Sequence, residues 1–152
     1  MADPLAPNSP CRAGVSSIRI GRGSISTVKE LGAKRVFLVT GGSSMFNNGA
    51  IGKIEAMLKA SGAELMIQSG VPANPPVAVI KQGLDRMRSF EPDTVIGIGG
   101  GSAMDAAKLM ALFYDYPELD SVLSAFLPLH SVHNWTRWLK TPSKVACGSI
   151  RY

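Results

Sequence analysis

The hydrophobic positions of the chain alternate between short apolar runs and longer segments with helical spacing. Three runs indicate strands, at residues 35–40, 64–68 and 95–98. After each run, apolar residues recur every three or four positions, which is the period of a helix with one buried face. The predicted helices cover residues 49–61, a segment from Pro75 or Pro76 to Phe90, and residues 102–114.

This order of elements predicts an α/β fold. Strands that are apolar along their whole length suit a parallel sheet with helices on both faces, joined by right-handed crossovers. The expected architecture is therefore a Rossmann-like sheet. Such sheets bind ligands at the carboxyl ends of their strands, where residues 40–44, 70–75 and 99–102 form three loops.

The third of these loops carries the clearest chemistry. Three consecutive glycines at 99–101 precede Ser102 and a run of good helix formers. Ser102 is the predicted N-cap, so free N–H groups and the positive helix end would face a bound phosphate. The alternative is a ligand-free turn, but such a turn needs one glycine, not three.

Two known phosphate-binding patterns fit this loop incompletely. It lacks the Gly-Lys-Ser/Thr ending of a P-loop, and Ser102 replaces the third glycine of the G-x-G-x-x-G fingerprint. Asp105 adds a carboxylate that could reach back toward the loop or its ligand. The alternative for Asp105 is an exposed ion pair with Lys108, which would contribute well under about 1 kcal/mol.

Composition limits the class of protein. The chain has 152 residues, of which 45% are hydrophobic and 18% charged, as in a globular protein with a core. No apolar run reaches the roughly 18 residues of a membrane span, and no secretory signal begins the chain. Residues 1–14 are predicted to be a disordered leader, and the two cysteines suggest neither a disulfide framework nor a zinc site. A cytoplasmic enzyme is expected.

The distribution of charge indicates a boundary near Asp120. Residues 1–120 contain 12 Lys or Arg and 11 Asp or Glu, whereas residues 121–152 contain four Lys or Arg and no acid. Residues 121–152 are therefore predicted to be an atypical basic tail. A nucleic-acid or membrane patch is disfavoured because its basic residues are scattered. His130 and His133 have the spacing of a metal pair, but the tail offers them no acidic partner.

The loop and its neighbours carry a family resemblance. The string Gly-Gly-Gly-Ser-x-x-Asp-x-Ala-Lys at 99–108 resembles the signature of the iron-containing (group III) alcohol dehydrogenases. Residues 18–25, 36–40 and 71–75 agree with that family in order and spacing. The resemblance covers residues 15–120 and implies the dinucleotide-binding domain of an NAD(P)-dependent oxidoreductase, which transfers hydride between a primary alcohol or aldehyde and a nicotinamide cofactor.

The resemblance also implies a set of cofactor-binding residues. The glycine-rich loop would hold the pyrophosphate, Asn74 would touch the cofactor, Asp105 would lie near the nicotinamide and Thr40 near the adenosine ribose. The full set is Thr40, Asn74, Gly99, Gly100, Gly101, Ser102 and Asp105. The family often has an aspartate after Thr40 that favours NAD. Here that position is Gly41, so NAD and NADP both stay open.

The resemblance implies one more component, which the sequence lacks. The family's all-helical metal domain binds iron or zinc through one aspartate and three histidines, whereas residues 121–152 contain no aspartate and two histidines. The sequence thus predicts a chain truncated after about Asp120, with no metal ligands and no catalytic residues of its own. Without a metal to polarise the alcohol, little dehydrogenase activity is expected.

Two other interpretations stay open. The chain could be a stand-alone nucleotide-binding or interaction module, or a protein like glycerol dehydrogenase or dehydroquinate synthase. The expected partners are the dinucleotide, a small alcohol or aldehyde and a second copy of the chain. Neither nucleic acid nor a membrane is expected.

Overall fold

The computed structural model describes residues 9–13, 16–20, 23–119 and 145–148, which fall into two compact units divided after Gly32. In the first unit, β1 (Ser9–Ala13) pairs antiparallel with β2 (Ser16–Ile20), and a 3-10 helix follows at Ser24–Glu30. A strand at Ser9–Ala13 differs from the disordered leader predicted there. Its sequence has no apolar run, and the pairing depends on backbone hydrogen bonds that composition does not reveal.

The second unit is built on a four-stranded parallel sheet. Its strands are β3 (Arg35–Thr40), β4 (Glu64–Gln68), β5 (Thr94–Ile98) and β6 (Val145–Gly148), in the order β4-β3-β5-β6. The three strands predicted from apolar runs are confirmed. The fourth strand, β6, lies inside the segment 121–152 that was predicted to be a separate tail. Part of that segment therefore belongs to the sheet. His130 and His133 lie outside the described residues.

The three longer helices of this unit lie within one or two residues of their predicted ranges. They are α1 (Ser44–Asn47), α2 (Ala50–Ala60), α3 (Val77–Phe90) and α4 (Gly101–Asp115), with a 3-10 turn at Pro117–Leu119. The short α1 lies between the predicted loop at 40–44 and the predicted helix from residue 49, and it was not predicted because one turn is too short to show a period. No helix in the described part of the chain has the length and apolarity to cross a membrane.

The strand order creates a switch point at β3. The chain runs from β3 to β4 in one direction and from β4 to β5 in the other, so right-handed crossovers place α2 on one face and α3 and α4 on the other. Phe37 and Val39 join one buried cluster with residues of α3 and α4. The alternate residues Val36 and Leu38 are equally buried but lie outside that cluster. The α/β architecture with helices on both faces is thus confirmed.

The amino end of the sheet is fixed by polar contacts. Asp93 Oδ2 accepts hydrogen bonds from the backbone N–H groups of Lys34 (2.9 Å) and Arg35 (3.2 Å). The Arg35 guanidinium donates to the Phe90 carbonyl, lies 4.6 Å from the centre of the Phe90 ring and pairs with Glu64 at 2.7 Å. These contacts join β3 to the end of α3, on the side of the sheet away from the three loops.

One glycine sets how closely α3 and α4 approach. The side chain of Met110 on α4 occupies the space that a Cβ at Gly83 on α3 would take, and Met110 is fully buried. We expect Gly83→Ala to lower the free energy of unfolding by about 1–2 kcal/mol, because overpacking outweighs the gain of about 1 kcal/mol in helix propensity.

Urea denaturation would measure this change, and Gly52→Ala is the matched control. Gly52 lies in α2 with nothing within 4 Å of its would-be Cβ, so its replacement should be stabilising. Equal stabilisation by both substitutions would contradict the prediction, since Met110 would then have room to move aside.

Candidate functional site

The three predicted loops meet at the carboxyl edge of the sheet. β3 lies between β4 and β5, and Thr40, its last residue, is in register with Ile98 of β5. The loop after each strand therefore begins at the switch point of the sheet. This is the position where open α/β sheets form a ligand crevice.

Backbone contacts join these loops to one another. The N–H of Gly70 donates to the Gly41 carbonyl (2.8 Å), and the N–H of Val71 donates to the Thr40 carbonyl (3.2 Å). At its other end the same loop donates the N–H of Asn74 to Ser102 Oγ (3.3 Å). The loop after β4 thus contacts both the loop after β3 and the start of α4.

The glycines of the third loop differ in what requires them. Gly99 has φ 132°, and its would-be Cβ lies 3.6 Å from Ala103 Cβ, so this position needs glycine for conformation. Gly100 has φ −77° and ψ 176°, which any residue adopts, and a Cβ at Gly100 or Gly101 would meet nothing within 4 Å. At these two positions the missing side chains leave open space over the loop.

The start of α4 corrects one prediction. The N-cap is Gly100, with no side-chain cap, and Ser102 is the second residue of the helix. Ser102 is not the N-cap because the chain enters helical geometry at Gly101, and the Ser102 hydroxyl instead accepts the bond from Asn74. No side-chain oxygen of the N-cap competes for the N–H groups at the first turn of this 15-residue helix.

Asp105 lies one turn into α4 and is mostly buried. Its Oδ1 is 3.7 Å from Lys108 Nζ, and the two side chains are 15% and 34% exposed. The ion pair considered as an alternative is therefore present, but it is less exposed than expected.

Thr40 lies beneath the loops. Its side chain is fully buried, and its Oγ1 has no hydrogen-bond partner among the residues that the structure describes. A buried hydroxyl without a partner costs about 1–3 kcal/mol. Such a group at a switch point suits a site in which a ligand or a bound water completes the hydrogen bonding.

The remaining two positions of interest are on the loops after β3 and β4. Asn74 is exposed and has φ 50°, a conformation that asparagine tolerates better than most residues. Gly41 is not in the left-handed region, and a Cβ there would lie 3.5 Å from the Val71 carbonyl, an ordinary contact. Position 41 thus has room for a side chain.

Two further properties of the described residues are the pKa of one tyrosine and the arrangement of possible metal ligands. Burial, and then the carboxylates of Glu91 and Asp115, raises the pKa of Tyr114, which is at the far end of α4 from the glycine loop. Among residues 23–119 and the described strands outside that range, no three His, Cys, Asp or Glu side chains lie together as metal ligands would. A bound metal therefore does not fit the described donors.

Two features of the site could not be found from sequence. Met45 of α1 is buried, and its Cγ lies 3.8 Å from the would-be Cβ of Gly99. The Asn74–Ser102 bond joins residues 28 positions apart. Neither has a local signal, because both depend on how the strands are ordered in the sheet.

Comparison with known proteins gives a consistent result. The model of the iron-containing alcohol dehydrogenase family matches residues 16–145, and so extends past Asp120. An NADPH-dependent butanol dehydrogenase of Clostridium saccharobutylicum is 39% identical over 83% of this chain and 33% of its own length. NADH-dependent butanol dehydrogenase A of Clostridium acetobutylicum is 33% identical over 77% of this chain and 33% of its own length.

A solved structure of the same family is also similar to this chain. The iron-containing alcohol dehydrogenase of Thermococcus thioreducens has a TM-score of 0.60 and 39% identity, covering 65% of this chain and 26% of that one. The chain thus spans about a third of the length of these two butanol dehydrogenases.

Proposed function

Because the chain belongs to the iron-containing alcohol dehydrogenase family, we propose that its second unit is the dinucleotide-binding domain of an NAD(P)-dependent alcohol dehydrogenase. The bound nicotinamide supplies the hydride acceptor for oxidation of a primary alcohol. The residues of this chain bind and orient that cofactor. The butanol dehydrogenases among its relatives support a short primary alcohol or its aldehyde as the substrate class.

The observation that carries this proposal is the open space over Gly100 and Gly101 at the start of α4. A pyrophosphate there would receive first-turn N–H groups and the positive end of the helix dipole. Gly99 provides the turn, and Ser102 adds a hydroxyl. Asn74 and Asp105 would contact the cofactor from the neighbouring loop and the helix.

The loop after β3 favours NADP(H) over NAD(H). An acidic side chain at the end of this strand accepts hydrogen bonds from the ribose 2′-hydroxyl in NAD-specific sites. Here Gly41 follows Thr40, and no Asp or Glu occurs between Glu30 and Glu55. A 2′-phosphate would therefore meet no carboxylate of this loop. We place the buried Thr40 under the adenosine ribose, where its hydroxyl lacks a described partner.

Titration of the purified chain with NADPH and with NADH, followed by nicotinamide fluorescence, tests the proposal. We expect both to bind, with NADPH tighter. Reduced nicotinamide mononucleotide is the matched control, because it lacks the pyrophosphate and adenosine and should bind far more weakly. The proposal fails if neither dinucleotide binds, or if the mononucleotide binds equally well.

A further inference from the structure

The bond between Asn74 and Ser102 crosses the switch point of the sheet. Asn74 follows β4 and Ser102 follows β5, while β3 lies between these strands. Two strand spacings amount to about 10 Å, so the loop after β4 must pass over the end of β3 to make this contact. The bond therefore spans the crevice in which we place the dinucleotide.

The loop after β4 is fixed at two ends. Its start is held by the bonds from Gly70 and Val71 to the loop after β3. Its far end, just before α3, is held by the Asn74 N–H on Ser102 Oγ. Asn74 has φ 50°, which asparagine adopts at a modest cost, and the bond to Ser102 offsets that cost and helps to keep this end in place.

The Ser102 hydroxyl can serve two partners at once. A serine hydroxyl has one proton to donate and two lone pairs, and the bond from Asn74 uses a lone pair only. The hydroxyl proton can therefore be donated to an oxygen of the pyrophosphate over Gly100 and Gly101. Hydrogen bonds in such a chain strengthen one another.

We propose that Ser102 is a positioning residue that couples nucleotide binding to the loop after β4, an inference that rests on the proposed function. It accepts from Asn74 and donates to the pyrophosphate, so that an occupied site fixes Asn74 in place. Binding would then order the wall of the crevice that Asn74 forms. Without the hydroxyl, the nucleotide would bind to a loop held at its start alone.

Hydrogen exchange measured by mass spectrometry on residues 70–75, with and without NADPH, tests this coupling. In the wild-type chain we expect NADPH to slow exchange of the Asn74 amide. In Ser102→Ala the free chain should exchange about fivefold faster there, the protection by NADPH should be lost, and the Kd for NADPH should rise about fivefold. Ser102→Thr retains the hydroxyl and should restore all three quantities.

Ser69→Ala is the matched control, because it removes an exposed hydroxyl from the same connection and should change none of them. If Ser102→Ala weakens NADPH binding but leaves exchange at 70–75 unchanged, the hydroxyl acts on the ligand alone and this inference is overturned. Faster exchange with unchanged affinity and unchanged protection would make the bond merely structural, and would also overturn it. A wild-type chain that binds neither dinucleotide would instead overturn the proposed function itself.

Discussion

Replacement of Gly101 by aspartate is expected to raise the Kd for NADPH at least about 100-fold while the domain stays folded. The new carboxylate would stand in the open space over the loop, where the pyrophosphate is proposed to lie, and like charges brought together in a site cost several kcal/mol. The fold should tolerate the change because the would-be Cβ meets nothing within 4 Å. An acid at the first position of α4 also suits the helix dipole.

Nicotinamide fluorescence titration measures the affinity, and thermal unfolding measures the stability. Gly52→Asp is the matched control, because it makes the same change of charge at an open glycine in α2, on the opposite face of the sheet from α4. We expect it to bind NADPH like the wild type. Equal affinity in the Gly101→Asp and wild-type chains would exclude this loop as the pyrophosphate site.

The second large effect is expected at Gly41. Gly41→Asp should weaken NADPH binding by about 30-fold and strengthen NADH binding, since the carboxylate repels a 2′-phosphate and accepts hydrogen bonds from a 2′-hydroxyl. The backbone at this position admits a side chain, whose Cβ would lie 3.5 Å from the Val71 carbonyl. The substitution thus tests cofactor choice without strain.

The quantity to compare between each variant and the wild type is the ratio of the Kd for NADPH to the Kd for NADH. Gly41→Asn is the control, because asparagine has the size of aspartate without its charge and should leave NADPH binding much stronger than Gly41→Asp does. A similar loss in both variants would mean that bulk, not charge, decides. An unchanged ratio in Gly41→Asp would place the ribose elsewhere.

The elements that sequence predicted well are those with a local physical cause. The apolar run at Arg35–Thr40 and the helical period at Val77–Phe90 depend on burial of side chains a few positions apart, so the pattern itself carries them. β6 was missed because Val145–Gly148 is four residues long and its pairing partners in β5 lie fifty positions earlier. The strand Ser9–Ala13 was missed for a related reason, since pairing with β2 supplies its order.

In the candidate site, too, local features could be predicted from the sequence and contacts between distant residues could not. The turn at residues 99–101 could be predicted from residue type alone, because three glycines in succession favour a turn between a strand and a helix. The role of these glycines in cofactor binding stays a prediction. The N-cap of α4 was misplaced by two residues, since serine commonly caps helices and the actual partner of Ser102, Asn74, lies in another loop. Contacts between loops depend on the order β4-β3-β5, which no single stretch of sequence encodes.

The three glycines at 99–101 are under different constraints, so they should change at different rates as the domain diverges. Gly99 is required by the backbone itself, whereas a side chain at Gly100 or Gly101 would meet open space, so the proposed nucleotide is what would require glycine there. A descendant that no longer bound a nucleotide would keep the first glycine to stay folded and would be free to acquire side chains at the other two. Substitution at positions 100 and 101 beside an intact glycine at 99 would therefore mark a domain that has retained its fold and lost its ligand.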